Sequence, residues 1–270
     1  MGKFDGMLLA SDFDDTLVNR KKQVPERTLA ALERFTSQGG RFTLASGRGL
    51  ESVRQQVPGL PVNAPVIVAN GTQIYDLERE KLLFEAKFPA AAKADIGAAL
   101  EAFPESAVEI FGGGKLYCVR PNAVTWEHLR ITGQTAIACR LEEIPEPWVY
   151  GKLEADHETL LEMQKWMEQH CPGRYGVFFS HSMLLELTPG DTNKGTGVLR
   201  LAELLGIDRQ RVYCAGDNEN DLAMLEAAAV SFTPENSTQR AMDTADVIVC
   251  DCDQGAIADV VEHLEQNIAK

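Results

Sequence analysis

Two carboxylates stand two residues apart in Asp12-Phe13-Asp14-Asp15-Thr16-Leu17, directly after the apolar run Met7-Leu8-Leu9-Ala10. Such a run has the length and composition of a buried strand. In extended backbone, side chains two apart point the same way, so Asp12 and Asp14 can project together from the strand's end. Like charges that close call for a metal ion or a shared proton. Hard oxygen donors suit Mg²⁺. The plainer alternative is an Asp-rich turn that ends a strand and caps a helix. A second acidic strand end follows Val212-Tyr213-Cys214-Ala215, in Gly216-Asp217-Asn218-Glu219-Asn220-Asp221. If the two strands are neighbours, their carboxylates can converge on one metal. Taken singly, Asp217 reads as a turn residue, Ser46 as a helix N-cap and Lys194 as a solvated lysine at a helix start.

The elements that must position these groups alternate along the chain. Pro25 suits a first helical position, and Leu29, Leu32 and Phe35 form an apolar stripe closed by Gly39-Gly40. Phe42 to Ala45 reads as a strand ending at Ser46-Gly47-Arg48, and residues 50–57 read as a helix. Val66 to Ala69 reads as a third buried strand, with Asn70-Gly71 turning the chain into Ile74-Tyr75. Strand and helix in alternation predict a mostly parallel sheet with helices on its faces. In such a sheet the functional groups lie at the carboxyl ends of the strands.

From about 82 to 186 the texture changes. Helices are expected over 90–103 and 158–169. Hairpins are expected from 107–111 with 116–119, and from 177–179 with 183–187. Gly112-Gly113-Gly114 neither fits a P-loop nor opens a helix, so it reads as a turn. The segment holds all three tryptophans and four of the five histidines; none of those histidines has a partner at metal-ligand spacing, so core or surface roles are expected of them. The alternating texture then returns: Thr192-Asn193-Lys194-Gly195 precedes a helix that carries Val198, Leu201, Leu204 and Leu205 and ends at Gly206, helices follow over 222–228 and 256–268, and strands are expected at 212–215, 230–232 and 247–249.

Composition sets outer limits. Of 270 residues, 44% are hydrophobic and 24% charged, ordinary for a globular chain with ample core. The net charge of −14 disfavours nonspecific nucleic-acid binding, which needs a basic face. An anion site here needs local positive charge or a metal. No signal-peptide pattern opens the chain, and no apolar run approaches the roughly 18 residues of a membrane span. The six cysteines are scattered and read as reduced thiols of a cytoplasmic protein. No protein partner is evident.

Taken together, four strand-end motifs resemble the haloacid dehalogenase superfamily of phosphatases. They are Asp12 to Leu17, Ser46 within Leu44 to Arg48, Lys194 within Asn193-Lys194-Gly195, and Gly216 to Asp221. The long insert between the second and third motifs is similar to the Cof-like subgroup, in which Gly is common at the position of Asp15. The resemblance implies an α/β fold: a Rossmann-like, mostly parallel sheet core over 1–81 and 187–270, with an α+β cap over 82–186 that sets specificity. It implies Asp12 as nucleophile, Asp14 as general acid and base, and Lys194 as the cation that stabilises transition-state charge. Ser46, Gly47, Arg48, Lys194 and Asn220 are the implied phosphate contacts, with Arg48 equally able to pair with the cap. Mg²⁺ is implied as cofactor, held by Asp12, the backbone carbonyl of Asp14, and Asp217, with Asp221 reaching a metal-bound water or the ligand. The implied substrate is a small phosphate ester, either a sugar or a cofactor phosphate. A phosphomutase, or a phosphoryl-sensing module that performs no turnover, are the alternatives.

Overall fold

The structure, a computed structural model, describes residues 2–267. The chain divides into two compact units, Met1–Phe84 with Asn193–Lys270, and Glu85–Thr192. The first unit opens with β1 (Leu8–Ser11), α1 (Glu26–Ser37), β2 (Arg41–Leu44) and α2 (Leu50–Gln56). It continues with β3 (Val66–Val68), β4 (Gln73–Asp76) and β5 (Lys81–Glu85). The second unit holds α3 (Ala92–Ala102), β6 (Ala107–Gly112), β7 (Lys115–Val119), α4 (Ala123–Thr132) and β8 (Ile137–Ala138). It closes with β9 (Trp148–Glu154), α5 (His157–His170), β10 (Tyr175–His181) and β11 (Leu184–Pro189). The chain then returns through α6 (Lys194–Leu205), β12 (Val212–Ala215), α7 (Leu222–Ala227) and β13 (Val230–Pro234). It finishes with α8 (Gln239–Thr244), β14 (Val247–Val249) and α9 (Ala256–Asn267).

In the first unit, β14-β13-β12-β1-β2 form a five-stranded sheet in which every pairing is parallel. All four β1 residues are buried, as a central strand covered on both faces requires. The register sets the carboxyl ends level: Ser11 lies opposite Ala215 on one side and Leu44 on the other. Asp12, Gly216 and Ala45 therefore start their loops side by side. The backbone N–H of Asp12 donates to the Ala215 carbonyl at 2.8 Å, and that of Ala45 to the Ser11 carbonyl at 2.9 Å.

Helix α1 buries Thr28, Ala31, Leu32 and Phe35, with Leu29 half-buried, and Pro25 is its N-cap rather than its first residue. This face joins Val260, Val261 and Leu264 of α9 in one core with Leu9, Phe42 and Phe232 of the sheet. Each such fully buried side chain is worth about 1.5–3 kcal/mol. The third strand departs from expectation. It touches the parallel sheet through a single bridge, Ala45 to Ile67, and then forms its own sheet, β3-β4-β5.

The second unit is a six-stranded sheet, β10-β11-β9-β6-β7-β8, antiparallel except between β7 and β8. Ile96 and Leu100 of α3 and Leu160, Met163 and Met167 of α5 pack on Val108, Ile110, Leu153, Leu185 and Leu187. This unit runs over 85–192, against the 82–186 read from sequence, because β11 continues to Pro189 within the insert's own sheet. Five elements, β5, α4, β8, β9 and α8, carry no mark in the sequence reading. The expected helix end at residue 268 lies outside the described residues. Among the described residues all six cysteines are free, and no helix is long and apolar enough to cross a membrane.

Candidate active site

Lys194 is the first residue of α6, and local chemistry fixes it there. The Asn193 side chain accepts from the Thr196 N–H at 2.9 Å, and the Thr196 hydroxyl accepts from the Asn193 N–H at 3.0 Å. This reciprocal capping box sets the helix start. One residue on, Gly195 packs against α7 so closely that a Cβ would lie 2.2 Å from the Ala223 carbonyl oxygen. Only glycine permits that approach, which brings the start of α6 to the loop after β12.

The result is a buried ion cluster. Lys194 is fully buried, and its Nζ donates to Asp12 Oδ1 at 2.5 Å and to Asp221 Oδ1 at 2.7 Å. The other Asp221 oxygen accepts from the backbone N–H groups of Asp217 and Asn218 at 3.0 and 3.1 Å. Asp221 thus folds its own loop and holds Lys194. Asp217 accepts from the Thr16 hydroxyl at 2.7 Å, which ties the first motif to the fourth. Carboxylate oxygens of Asp12, Asp217 and Asp221 lie within 4.8 Å of one another.

The electrostatics show what this cluster wants. Burial pulls the Lys194 pKa down, but Asp12 and Asp221 outweigh it and hold the group an ammonium. Burial raises the Asp12 carboxyl well above its ordinary value; Lys194 opposes the rise, while Asp221, Asp217 and Asp14 add to it. Burial and Asp221 push Asp217 up to about 7, against the Thr16 hydrogen bond and Lys194. Three carboxylates share one ammonium, so the set is short of positive charge. A hard divalent cation fits this all-oxygen group, and Mg²⁺ is the ion such donors suit.

Asp14 lies apart. Its carboxylate is gripped by Arg48, Nε at 2.7 Å and Nη2 at 3.0 Å, and Lys22 Nζ sits 3.1 Å away. Burial favours the neutral acid, yet Arg48 and Lys22 win and hold the group below its usual value. The Asp14 side chain is therefore outside the metal-binding group, and only its backbone carbonyl stays available for the role expected of it. Asp15 adopts the left-handed conformation, φ 57°, which Asp tolerates and most side chains do not. Its carbonyl accepts from Asn236 Nδ2 at 2.8 Å, anchoring the loop.

The expected phosphate contacts gather beside this loop. Ser46 is buried, and its hydroxyl accepts from the Arg48 N–H at 3.1 Å. Arg48 also donates to the Ser52 hydroxyl at 3.0 Å, so it is committed within the first unit. Asn220 Nδ2 donates to Asn70 Oδ1 at 3.1 Å. A Cβ on Gly47 would meet that same Asn70 oxygen at 3.1 Å, tighter than side chains normally pack. Four residues here escaped the sequence reading: Thr16, Lys22, Asn70 and Asn236. Thr16 lay inside the first motif without a role. Asn70, fully buried at φ 53°, read only as a turn.

The sequence profile of the haloacid dehalogenase-like hydrolases matches residues 9–261. The chain belongs to that family. The HMP-PP phosphatase of Klebsiella pneumoniae (strain 342) is 25% identical over 263 residues, which cover 96% of this chain and 96% of the relative. The pyridoxal phosphate phosphatase YbhA of Escherichia coli (strain K12) is 23% identical, covering 94% of this chain and 97% of its own. The structure of BT1666 from Bacteroides thetaiotaomicron, a phosphatase of the same superfamily, superposes with a TM-score of 0.83 at 18% identity. That match covers 97% of this chain and 96% of the other. Fold and family thus agree with the resemblance read from the four motifs.

Proposed function

We propose that the chain is a Mg²⁺-dependent phosphatase that hydrolyses a small phosphorylated metabolite, a sugar or cofactor phosphate, through an aspartyl-phosphate on Asp12. The buried Lys194 bridge between Asp12 and Asp221 carries the reading, since a lysine held charged beside a strand-end carboxylate is costly unless used. Asp12, the Asp14 carbonyl, Asp217 and Asp221 would hold or border the ion. When bound, Mg²⁺ supplies the positive charge that lets carboxylate and phosphate meet.

Asp12 attacks phosphorus in line, the P–O bond to the leaving alcohol breaks, and Asp14 gives that oxygen a proton. Phosphoryl oxygens compete for the Arg48 and Lys22 cations that hold Asp14 ionised, so Asp14 takes up a proton from solvent as substrate binds and carries it to the leaving oxygen. Water then attacks the phosphorus and passes a proton back to Asp14, releasing phosphate and the Asp12 carboxylate. Ser46, the N–H groups after it, Asn220 and Lys194 bind phosphoryl oxygens and meet the charge that grows on them. The substrate classes follow the activities named for the relatives, and the insert is the unit left to choose among them. The working compartment is the cytoplasm.

A panel of phosphorylated metabolites, scored for released phosphate, tests the reading. We expect turnover of at least one sugar or cofactor phosphate with Mg²⁺ and loss of it after chelation. Undiminished turnover without divalent ions would remove the metal from the account.

Asp14→Asn separates the two chemical roles. An aryl phosphate has a good leaving group and needs little protonation, so its attack step should slow less than that of an alkyl phosphate. Single-turnover kinetics isolate that step, because the variant also hydrolyses the intermediate slowly. Equal slowing of both substrates would exclude Asp14 as the acid.

A further inference from the structure

The insert carries a second buried polar cluster, on the sheet face opposite its hydrophobic core. Glu109 of β6 and Glu186 of β11 both lie opposite Lys152 of β9, and Glu154 lies two residues along β9 on the same face. His128 and Thr125 reach down from α4. All are buried: relative exposure is 0% for Glu154, 1% for Glu109, 3% for Glu186, 7% for Lys152 and 9% for His128.

Part of the cluster is satisfied from within. The Thr125 hydroxyl donates to Glu154 Oε2, and the Ser180 hydroxyl donates to Glu186 Oε1 at 2.7 Å. Lys152 Nζ lies 3.3 Å from His128 Nε2 and 3.6 Å from Glu186 Oε1. Four buried atoms of the cluster have no hydrogen bond among the described residues: both Glu109 oxygens, His128 Nδ1 and Glu154 Oε1. These four face one another. Nδ1 is 3.1 Å from Glu109 Oε2 and 3.7 Å from Glu154 Oε1, and one donor atom from each residue lies within 4.8 Å of the other two.

Buried carboxylate oxygens without hydrogen bonds are strongly unfavourable, so a convergent set of them points to something held between. The donor atoms identify it. An imidazole nitrogen beside two carboxylate oxygens suits zinc or a similar transition metal, whereas Mg²⁺ and Ca²⁺ take oxygen. Bonds of about 2.0–2.2 Å to one ion are within reach of donors this close.

We propose that Glu109, His128 and Glu154 form a binding site for a zinc-class divalent metal within the insert, separate from the all-aspartate group of the first unit. His128 ligates through Nδ1, and its Nε2 then carries the ring proton. Lys152 turns fully onto Glu186. Thr125 orients Glu154 from behind, as partners of metal-bound carboxylates commonly do. The ion fastens α4 to β6 and β9. Its role is structural, and phosphate chemistry in the other unit does not pass through it.

Two measurements decide the matter. In chelator-stripped Asp217→Asn chain, whose aspartate group is impaired for metal, zinc titration should show one tight equivalent and raise the melting temperature. Glu109→Gln/His128→Gln added to that background should lose both effects. Zinc-soaked crystals of the unaltered chain, measured on either side of the zinc absorption edge, should show an anomalous peak between Glu109, His128 and Glu154. That second result does not depend on whether the variants fold. An unchanged zinc equivalent in the double substitution, or crystals without a peak at this position, would overturn the proposal and leave a shared proton as the cluster's occupant.

Discussion

Asp12→Asn is expected to lower phosphate release by at least about a thousandfold while leaving the fold intact, the scale seen when a catalytic nucleophile is removed. An amide cannot attack phosphorus and is a poor ligand for a hard cation. The fold should tolerate the change for a reason specific to this cluster. Burial and three neighbouring aspartates already work against a charge at position 12, so its loss relieves repulsion even as it weakens the Lys194 contact. Purified Asp12→Asn, expressed where no wild-type chain can contaminate it, would be assayed on a small alkyl phosphate with Mg²⁺, alongside its melting curve. A tenth of the wild-type rate, with a normal melting curve, would mean another residue is the nucleophile.

Lys194→Met should behave differently, although the two side chains touch. Among the described residues it removes the only cation that meets both Asp12 and Asp221, and it leaves buried carboxylates facing each other without compensation. Breaking such a group from one side costs about 3–5 kcal/mol. Activity should fall about as far as in Asp12→Asn, but here the unfolding midpoint should fall with it. Because the missing quantity is positive charge, Mg²⁺ should recover part of the lost stability and little of the rate. Denaturant unfolding with and without Mg²⁺ separates these effects. A Lys194→Met chain as stable as the parent, and indifferent to Mg²⁺, would show that the cluster is not the charge-deficient group described here.

The first unit was legible because its signals are local. Buried parallel strands leave mostly apolar runs, and β1, β2 and β12 each end such a run at a polar motif. The parallel order then brings those ends level without further information. The pairings that complete the site are not local. Thr16 meets Asp217 across 201 residues, and Asn220 meets Asn70 across 150, so no periodicity could announce either. The grip of Arg48 on Asp14 is likewise a matter of packing across 34 residues, and no local signal marks it.

The insert was harder for a related reason. Its central strand β9 buries every residue, yet one face carries Lys152 and Glu154, so the hydrophobic alternation that marks strands is broken by charge. Helix α4 had a signal that went unread: Asn122 and Thr125 form a capping box, and Gly133 closes the helix in the left-handed conformation. His128 illustrates the limit of spacing arguments. It has no histidine or cysteine near it in sequence, and its partners Glu109 and Glu154 come from two strands and meet it only in the fold.

The central claim is the covalent intermediate on Asp12, and the most direct measurement is to trap it. Asp14→Asn should form the aspartyl-phosphate from an aryl phosphate and hydrolyse it slowly, so the intermediate accumulates. Acid quenching after a single turnover with substrate radiolabelled in the phosphoryl group, followed by digestion, places the label on a peptide. The account predicts base-labile label on the peptide containing Asp12, and none when Asp12→Asn is combined with Asp14→Asn. Release of the aryl alcohol in a full burst with no labelled peptide, or label on any other residue, would contradict it.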